Sequence, residues 1–327
     1  MSNPTVLTTS SAVDEVRGGS LAGHKSLGSK IQNQYVLLLM SIPFVLHLLL
    51  FRFGPLFGWV MAFQHFRPGM GMFDSRQEWL GLEQFKTLFA DPLFWLVLRN
   101  TLAMATIKLV MGTLAAVIVA ILVNETRNRP FKRTVQTISY LPHFVSWVVA
   151  ANLVLEVLSP RGIINEMLMG IGIINEPILF LGQPKLFWWI IGASHVWKTA
   201  GFGAIIYLSA MTAIDPQLYE AADIDGASRL QRIWHITMPG IRATFVILLI
   251  INIGYLMEAG FEQQYLLQNG IVQNYSEVFT IYVLRWGLQR SRFSFATAAG
   301  IFRSAVSIAL VLSANAIAKR MNEETLL

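Results

Sequence analysis

EAADIDGASRLQRIWHITMPG, Glu220 to Gly240, stands out as a charged interval between two long apolar runs. Just ahead of it, Asp215 can accept from an orphan N–H of a first turn, and Pro216 suits the first helical position. Gly226 offers the left-handed conformation that ends such a helix. Ser228 can cap a second helix, whose Leu230, Ile233, Trp234 and Ile236 recur at helical spacing until Pro239 stops it. The stretch therefore predicts two short amphipathic helices joined by a glycine turn, with an apolar side that must meet a partner surface.

The flanking sequence says where this pair sits. Of 327 residues, 54% are hydrophobic and only 13% charged, against about 25% charged in soluble domains. The chain reads as an all-α integral membrane protein. It has no cysteine, which excludes disulfides, thiolate catalysis and Cys-based metal sites. Its net charge of +6 fits anionic lipid headgroups better than nucleic acid, because the basic residues stand at the ends of apolar runs. Residues 1–33 are polar and rich in Ser and Gly, which predicts a flexible cytoplasmic tail without the layout of a cleavable signal peptide.

A helical span needs about 20 mostly apolar residues. Six runs meet this: Tyr35–Phe51, Thr101–Val123, Ile138–Leu158, Leu186–Met211, Ile241–Phe261 and Ala296–Ala318. They define a transmembrane domain over 34–327. The piece Phe53–Phe66 reads as a continuation of the first span or an interfacial segment. Arg127, Arg129, Lys132 and Arg133 crowd the loop after the second run and, with Lys319 and Arg320, place both termini in the cytoplasm. The loop 212–240 falls on the same side, although Arg285, Arg290 and Arg292 would then lie outside. Residues 67–95 predict a short amphipathic helix starting near Gly81, and 159–185 a capped, partly helical loop. The chain shows no internal repeat.

The order Glu220-Ala221-Ala222, three residues, Gly226, nine residues, Ile236, one residue, Met238-Pro239 resembles the signature loop of the permeases of binding-protein-dependent, ATP-driven (ABC) importers. Asp225-Gly226-Ala227 inside it is similar to the carbohydrate branch, and Trp79–Leu102 and Ala296–Gly300 resemble other parts of sugar permeases. From about Tyr35 onward the chain looks like the subgroup that imports oligo- and polysaccharides, alginate-type uronate polymers among them. It departs from the pattern at Met238, where leucine is commoner, and at Ala243, where a proline often follows.

The resemblance implies a type I importer permease in the bacterial inner membrane. It implies a second homologous permease, a cytoplasmic ATPase dimer that binds ATP and Mg, an extracellular or periplasmic solute-binding protein, and a saccharide cargo. Glu220, Ala221, Ala222, Asp225, Gly226, Ala227, Ile236 and Pro239 would then dock on the ATPase. Glu220 offers a carboxylate to a basic partner residue, and the two alanines let the helix sit close.

Nothing in the chain performs covalent chemistry. Gly192–Thr199 (GASHVWKT) is a near miss to a phosphate loop, with Trp197 at the second glycine and no strand before it. The six histidines lack metal-ligand spacing, so no metal or cofactor is expected in this chain. Polar groups within spans are costly and mark pathways. Asn252, Tyr255, Ala259 and Gln263 form a stripe on the fifth run beside Glu258; Trp197 and Lys198 on the fourth run and Asn152 on the third complete the candidate pathway. The competing expectation is that these residues tie helices together or snorkel from their ends. Lys108, Lys198 and Arg303 would suit an acidic polysaccharide. The rival class, a stand-alone secondary transporter or channel, calls for repeats or paired mid-membrane acids.

Overall fold

The computed structural model of the chain describes residues 35–258 and 260–321; the tail expected over 1–33, and Ala259 of the expected stripe, lie outside them. The described residues are helical apart from one two-strand ladder, and they divide into two compact units between Gly58 and Trp59. Helix α1 (Tyr35–Phe63) continues through the segment that follows the first apolar run. Its winding passes through a π turn at Leu49–Phe53 into 3-10 geometry over Gly54–Phe63. Pro55 explains the change, since its ring cannot sit over the carbonyl four residues back in a regular helix.

In the larger unit, strands β1 (Gln64–His65) and β2 (Glu78–Trp79) pair antiparallel and lead into α2 (Glu83–Ala90), which begins two residues after left-handed Gly81. Helix α3 (Pro92–Glu125) starts where Asp91 accepts from the Leu93 amide at 2.9 Å, with Pro92 in the first turn. Helix α4 (Arg129–Phe144) is capped by Asn128. The run expected as one span over Ile138–Leu158 is two helices. Val145 and Ser146 are extended, Ser146 caps α5 (Trp147–Val157), and α4 and α5 meet at 103°. A cap residue that satisfies the new helix's amides makes the break stable. Helix α6 (Ile163–Gly170) follows, then α7 (Pro184–Thr212), 29 residues long.

Helices α3 and α7 pack along their length and form the frame. Glycines allow the close approaches around it: a Cβ at Gly192 would strike Ile107 and Met111 of α3, and one at Gly201 would overlap the Ser139 carbonyl of α4. After α8 (Pro216–Ile224) and α9 (Arg229–Gly240), the chain bends by 59° at Ile241 into α10 (Arg242–Gly254). The fifth run is not one continuous helix. It passes into 3-10 geometry at Leu256–Glu258, turns at left-handed Gly260 and resumes as α11 (Phe261–Leu267). Helices α12 (Gln273–Ser276) and α13 (Phe279–Leu284) lead through a π turn to α14 (Phe293–Arg320).

Three apolar clusters hold this unit. One joins Met104, Phe187, Ile191 and Leu267; a second joins Phe94, Met257, Phe279 and Phe295. The third, Ala116, Ala120, Tyr207, Met211 and Ile241, clamps α3 and α7 next to the α8–α9 loop. Among the described residues, α1, α3 and α14 are each long and apolar enough to cross a membrane, and α4–α5 and α9–α10 are so as bent pairs.

Candidate functional site

Two places bring the expected residues together. The first is the α8–α9 pair. Asp215 accepts from the Gln217 amide at 2.9 Å and Pro216 opens α8. At the other end Gly226 has φ +74, and the Ala227 amide reaches back to the Ala222 carbonyl at 2.9 Å. This is the wide closing bond that a left-handed glycine permits at a helix end. Ser228 and Gln231 form a reciprocal capping box: the Ser228 amide donates to Gln231 Oε1 at 2.7 Å, and the Gln231 amide to Ser228 Oγ. Across the turn Arg232 pairs with Asp223, and Tyr219 Oη shares a hydrogen bond with Thr237 Oγ1 at 2.9 Å. Each of the two helices is thus tied to the other on both sides of the glycine.

The second helix ends at Gly240, one residue past Pro239, where the chain bends. A π turn over Ile233–Thr237 precedes that proline, with the Met238 amide bonding the Ile233 carbonyl, so the extra residue accommodates the proline ring. The expected docking residues divide by exposure: Glu220, Ala221, Asp225, Gly226 and Pro239 are exposed, while Ala222, Ala227 and Ile236 are half-buried. Glu220 makes no hydrogen bond or ion pair among the described residues. The same helix pair carries large apolar side chains that are exposed: Ile224 is 87% exposed, Leu230 78% and Trp234 70%. Ile224 carried no signal in the sequence, because a single isoleucine between two aspartates fits no helical stripe.

The second place is a cavity of about 500 Å³ between α3, α7 and the end of α10. Asn252, Tyr255 and Glu258 line it, as the expected stripe requires. Lys108 and Thr113 from α3 and His195, Thr199 and Tyr207 from α7 add polar groups to its wall, with Gly260 at the helix break. The other expected pathway residues lie elsewhere. Gln263 is buried and donates to the Ile191 carbonyl at 2.8 Å and to Ser194 Oγ at 2.9 Å, which ties α11 to α7. The break after Gly254 turns Gln263 out of register with Asn252. Lys198 is buried and donates to the His143 carbonyl at 2.8 Å, the end of α4 where carbonyls lack helical partners. Trp197 is exposed on α7, Asn152 is exposed on α5, and Arg303 is half-buried on α14; none of the three lines the cavity.

Comparison with known proteins follows the same two features. Residues 109–323, which include the helix pair and all of the cavity lining except Ala105 and Lys108, match the family "Binding-protein-dependent transport system inner membrane component". The chain is 43% identical over 301 residues to the polygalacturonan/rhamnogalacturonan transport system permease protein YteP of Bacillus subtilis (strain 168), covering 92% of each. It is 39% identical over 291 residues to Protein LplB of the same organism, covering 89% of this chain and 90% of that one. Among solved structures it resembles a chain of a bacterial ABC transporter involved in the import of the acidic polysaccharide alginate. There the TM-score is 0.83 at 38% identity, covering 91% of this chain and all (100%) of that one. A second structure, the bacterial alginate ABC transporter in complex with an alginate pentasaccharide-bound periplasmic protein, gives 0.84 at 37% identity, covering 92% and 100%.

Proposed function

This chain belongs to the binding-protein-dependent transport system inner membrane components, the permeases of ABC importers, and we propose that its Glu220–Gly240 helix pair is the joint through which ATP hydrolysis drives saccharide import. It is a transporter subunit of the inner membrane and not an enzyme. In this reading the α8–α9 pair sits in a cleft of a cytoplasmic ATPase subunit, one of two that bind ATP and Mg. Six spans cross the membrane: α1, α3, the bent α4–α5, α7, the bent α9–α10 and α14. Both termini then lie in the cytoplasm. A second homologous permease completes the path, and an extracellular or periplasmic binding protein delivers the cargo. The similarity to permeases named for polygalacturonan and for alginate import supports an acidic oligo- or polysaccharide as that cargo.

The observation that carries the joint is the exposed set Ile224, Leu230 and Trp234 on the same rigid helix pair as unpartnered Glu220. Apolar side chains this exposed, ringed by charge, mark a protein contact. The pair is continuous with α7 and α10 and clamped to them by the cluster around Tyr207 and Ile241, so a push on the loop moves the spans as levers. The test compares wild type with Glu220→Lys and Gly226→Pro in the reconstituted importer. Both variants should insert normally and lose cargo-stimulated ATP hydrolysis and uptake together. Wild-type stimulation in both would overturn the joint.

A further inference from the structure

We infer that Arg290 and Arg292, stacked on Trp286 at the head of α14, form a binding site for the phosphate of an anionic phospholipid in the outer leaflet. The choice of leaflet rests on the six-span reading above; the site itself rests on the side chains that build it.

Arg285, Arg290 and Arg292 run against the charge expected of an outer segment, since basic residues favour the cytoplasmic side. The structure treats the three differently. Arg285 is neutralised at 2.8 Å by Glu277, which is fully buried. Arg290 and Arg292 are exposed, and neither side chain forms a hydrogen bond or ion pair among the described residues. Both lie over the Trp286 ring, with guanidinium carbons 4.2 and 5.0 Å from its centroid, and Arg292 is also 5.0 Å from the Phe295 ring. The backbone holds this arrangement. The Arg290 amide donates to the Arg285 carbonyl at 3.1 Å, and the Arg292 amide to the Trp286 carbonyl at 3.0 Å. Ser291, at φ 54, is the one residue other than glycine with positive φ among the described residues. A serine in the left-handed region is disfavoured, and it occurs here between two cations that share one ring.

The place of the pair along the span selects the ligand. The apolar run Ala296–Ala318 is 23 residues, about 34 Å at helical rise, enough to fill a hydrocarbon core of about 30 Å. Arg292 precedes that run by four residues, about 6 Å, and the headgroup layer on each side of the core is roughly 5–7 Å thick. The guanidiniums thus stand at phosphate level and not at the height of a protein docked above the membrane. Trp286, in ring contact with Phe295 at 5.2 Å, falls in the interfacial belt that tryptophan favours. Leu288, 66% exposed in the same turn, adds apolar surface for the upper part of an acyl chain. Guanidinium forks match phosphate oxygens, and stacking on a ring holds them ready. Two uncompensated arginines over one ring repel each other, and a phosphodiester between them removes that repulsion.

The test uses the complete importer, both permeases with their ATPases, in neutral detergent. Phosphatidylglycerol is titrated in and the bound lipid counted by native mass spectrometry. Arg290→Gln with Arg292→Gln should weaken binding of one phosphatidylglycerol about tenfold, the loss of charge-assisted hydrogen bonds. Phosphatidylcholine should bind wild type and variant alike. Arg76→Gln with Lys86→Gln removes the same charge elsewhere on the outer segments and should leave phosphatidylglycerol binding as in wild type. An equal fall for phosphatidylcholine or in that control, no fall in the arginine pair, or displacement of the lipid by excess inorganic phosphate would each overturn the site. A pair variant that keeps its lipid and loses affinity for the loaded binding protein would assign the arginines to that protein and overturn it too. The leaflet is read separately. The chain has no cysteine, so Gln289→Cys reports the side from which a membrane-impermeant maleimide reaches this turn. Labelling from outside supports the outer leaflet; labelling only from inside would overturn the six-span reading, while the lipid count still judges the site.

Discussion

Asn100 is fully buried and holds the distant helix α12 and its C-cap residue with one side chain. Its Nδ2 donates to the Asn274 carbonyl at 3.0 Å and to the Glu277 carbonyl at 3.1 Å, while Arg99 donates to its Oδ1. Nearby, Thr101 Oγ1 accepts from the Phe279 amide at 2.8 Å, and Arg285 pairs with buried Glu277 at 2.8 Å. Replacing Asn100 by alanine leaves the Asn274 carbonyl its Arg99 donor at 3.0 Å but takes the side-chain donor from the Glu277 carbonyl in a buried place, which costs about 1–3 kcal/mol. Asn100→Ala should lower the melting temperature in detergent by about 2–4 °C per kcal/mol lost, and an unchanged midpoint would contradict the bracing role. The sequence offered no sign of it, because the carbonyls it serves lie 174 and 177 residues further on. Lys198 was hidden for the same reason: its partner is 55 residues away, and a buried lysine looks alike whether it faces cargo or a carbonyl.

At the scale of elements, the ends of helices were legible and their breaks were not. Asp215, Pro216, Gly226 and Ser228 do what their chemistry predicts, since capping depends on residues within a few positions. The winding between the caps depends on more. Pro55 and Pro239 each follow a π turn by two residues; the first helix continues to Phe63, whereas the second ends one residue past its proline. Hydropathy alone reads Ile138–Leu158 and Ile241–Phe261 as straight spans, yet Ser146 and Gly260 interrupt them. A prediction belongs at Gly226. Nothing lies within 4 Å of a Cβ built there, so Gly226→Ala meets only the cost of a left-handed alanine, about 1 kcal/mol. Hydrogen exchange across α8 and α9 should quicken while cargo-stimulated ATP hydrolysis stays within twofold. A loss as deep as that expected of Glu220→Lys would mean that the glycine touches the partner directly.

For the whole molecule, the exposed apolar set predicts how firmly the assembly holds. Trp234 is the largest of these side chains, and truncating a buried aromatic anchor typically costs about 2 kcal/mol or more. Trp234→Ser should weaken recovery of the ATPase subunits in co-purification about thirtyfold, while the permease retains its melting temperature because Trp234 touches solvent in the isolated chain. Equal recovery with wild type would remove Trp234 from the contact. Composition and caps were enough by themselves to determine a helical membrane protein with a rigid polar helix pair, because each depends on local chemistry or on total apolar content, and the spacing from Glu220 to Pro239 carried the resemblance to importer permeases. Which polar side chains share a cavity was decided only in three dimensions. Asn252 and Lys108 face one space while Gln263 and Lys198 tie helices, and that division follows from a 103° bend, a break at Gly260 and glycines that let α7 close on its neighbours. Those features arise from contacts between residues far apart in the chain, which no periodicity within one run encodes.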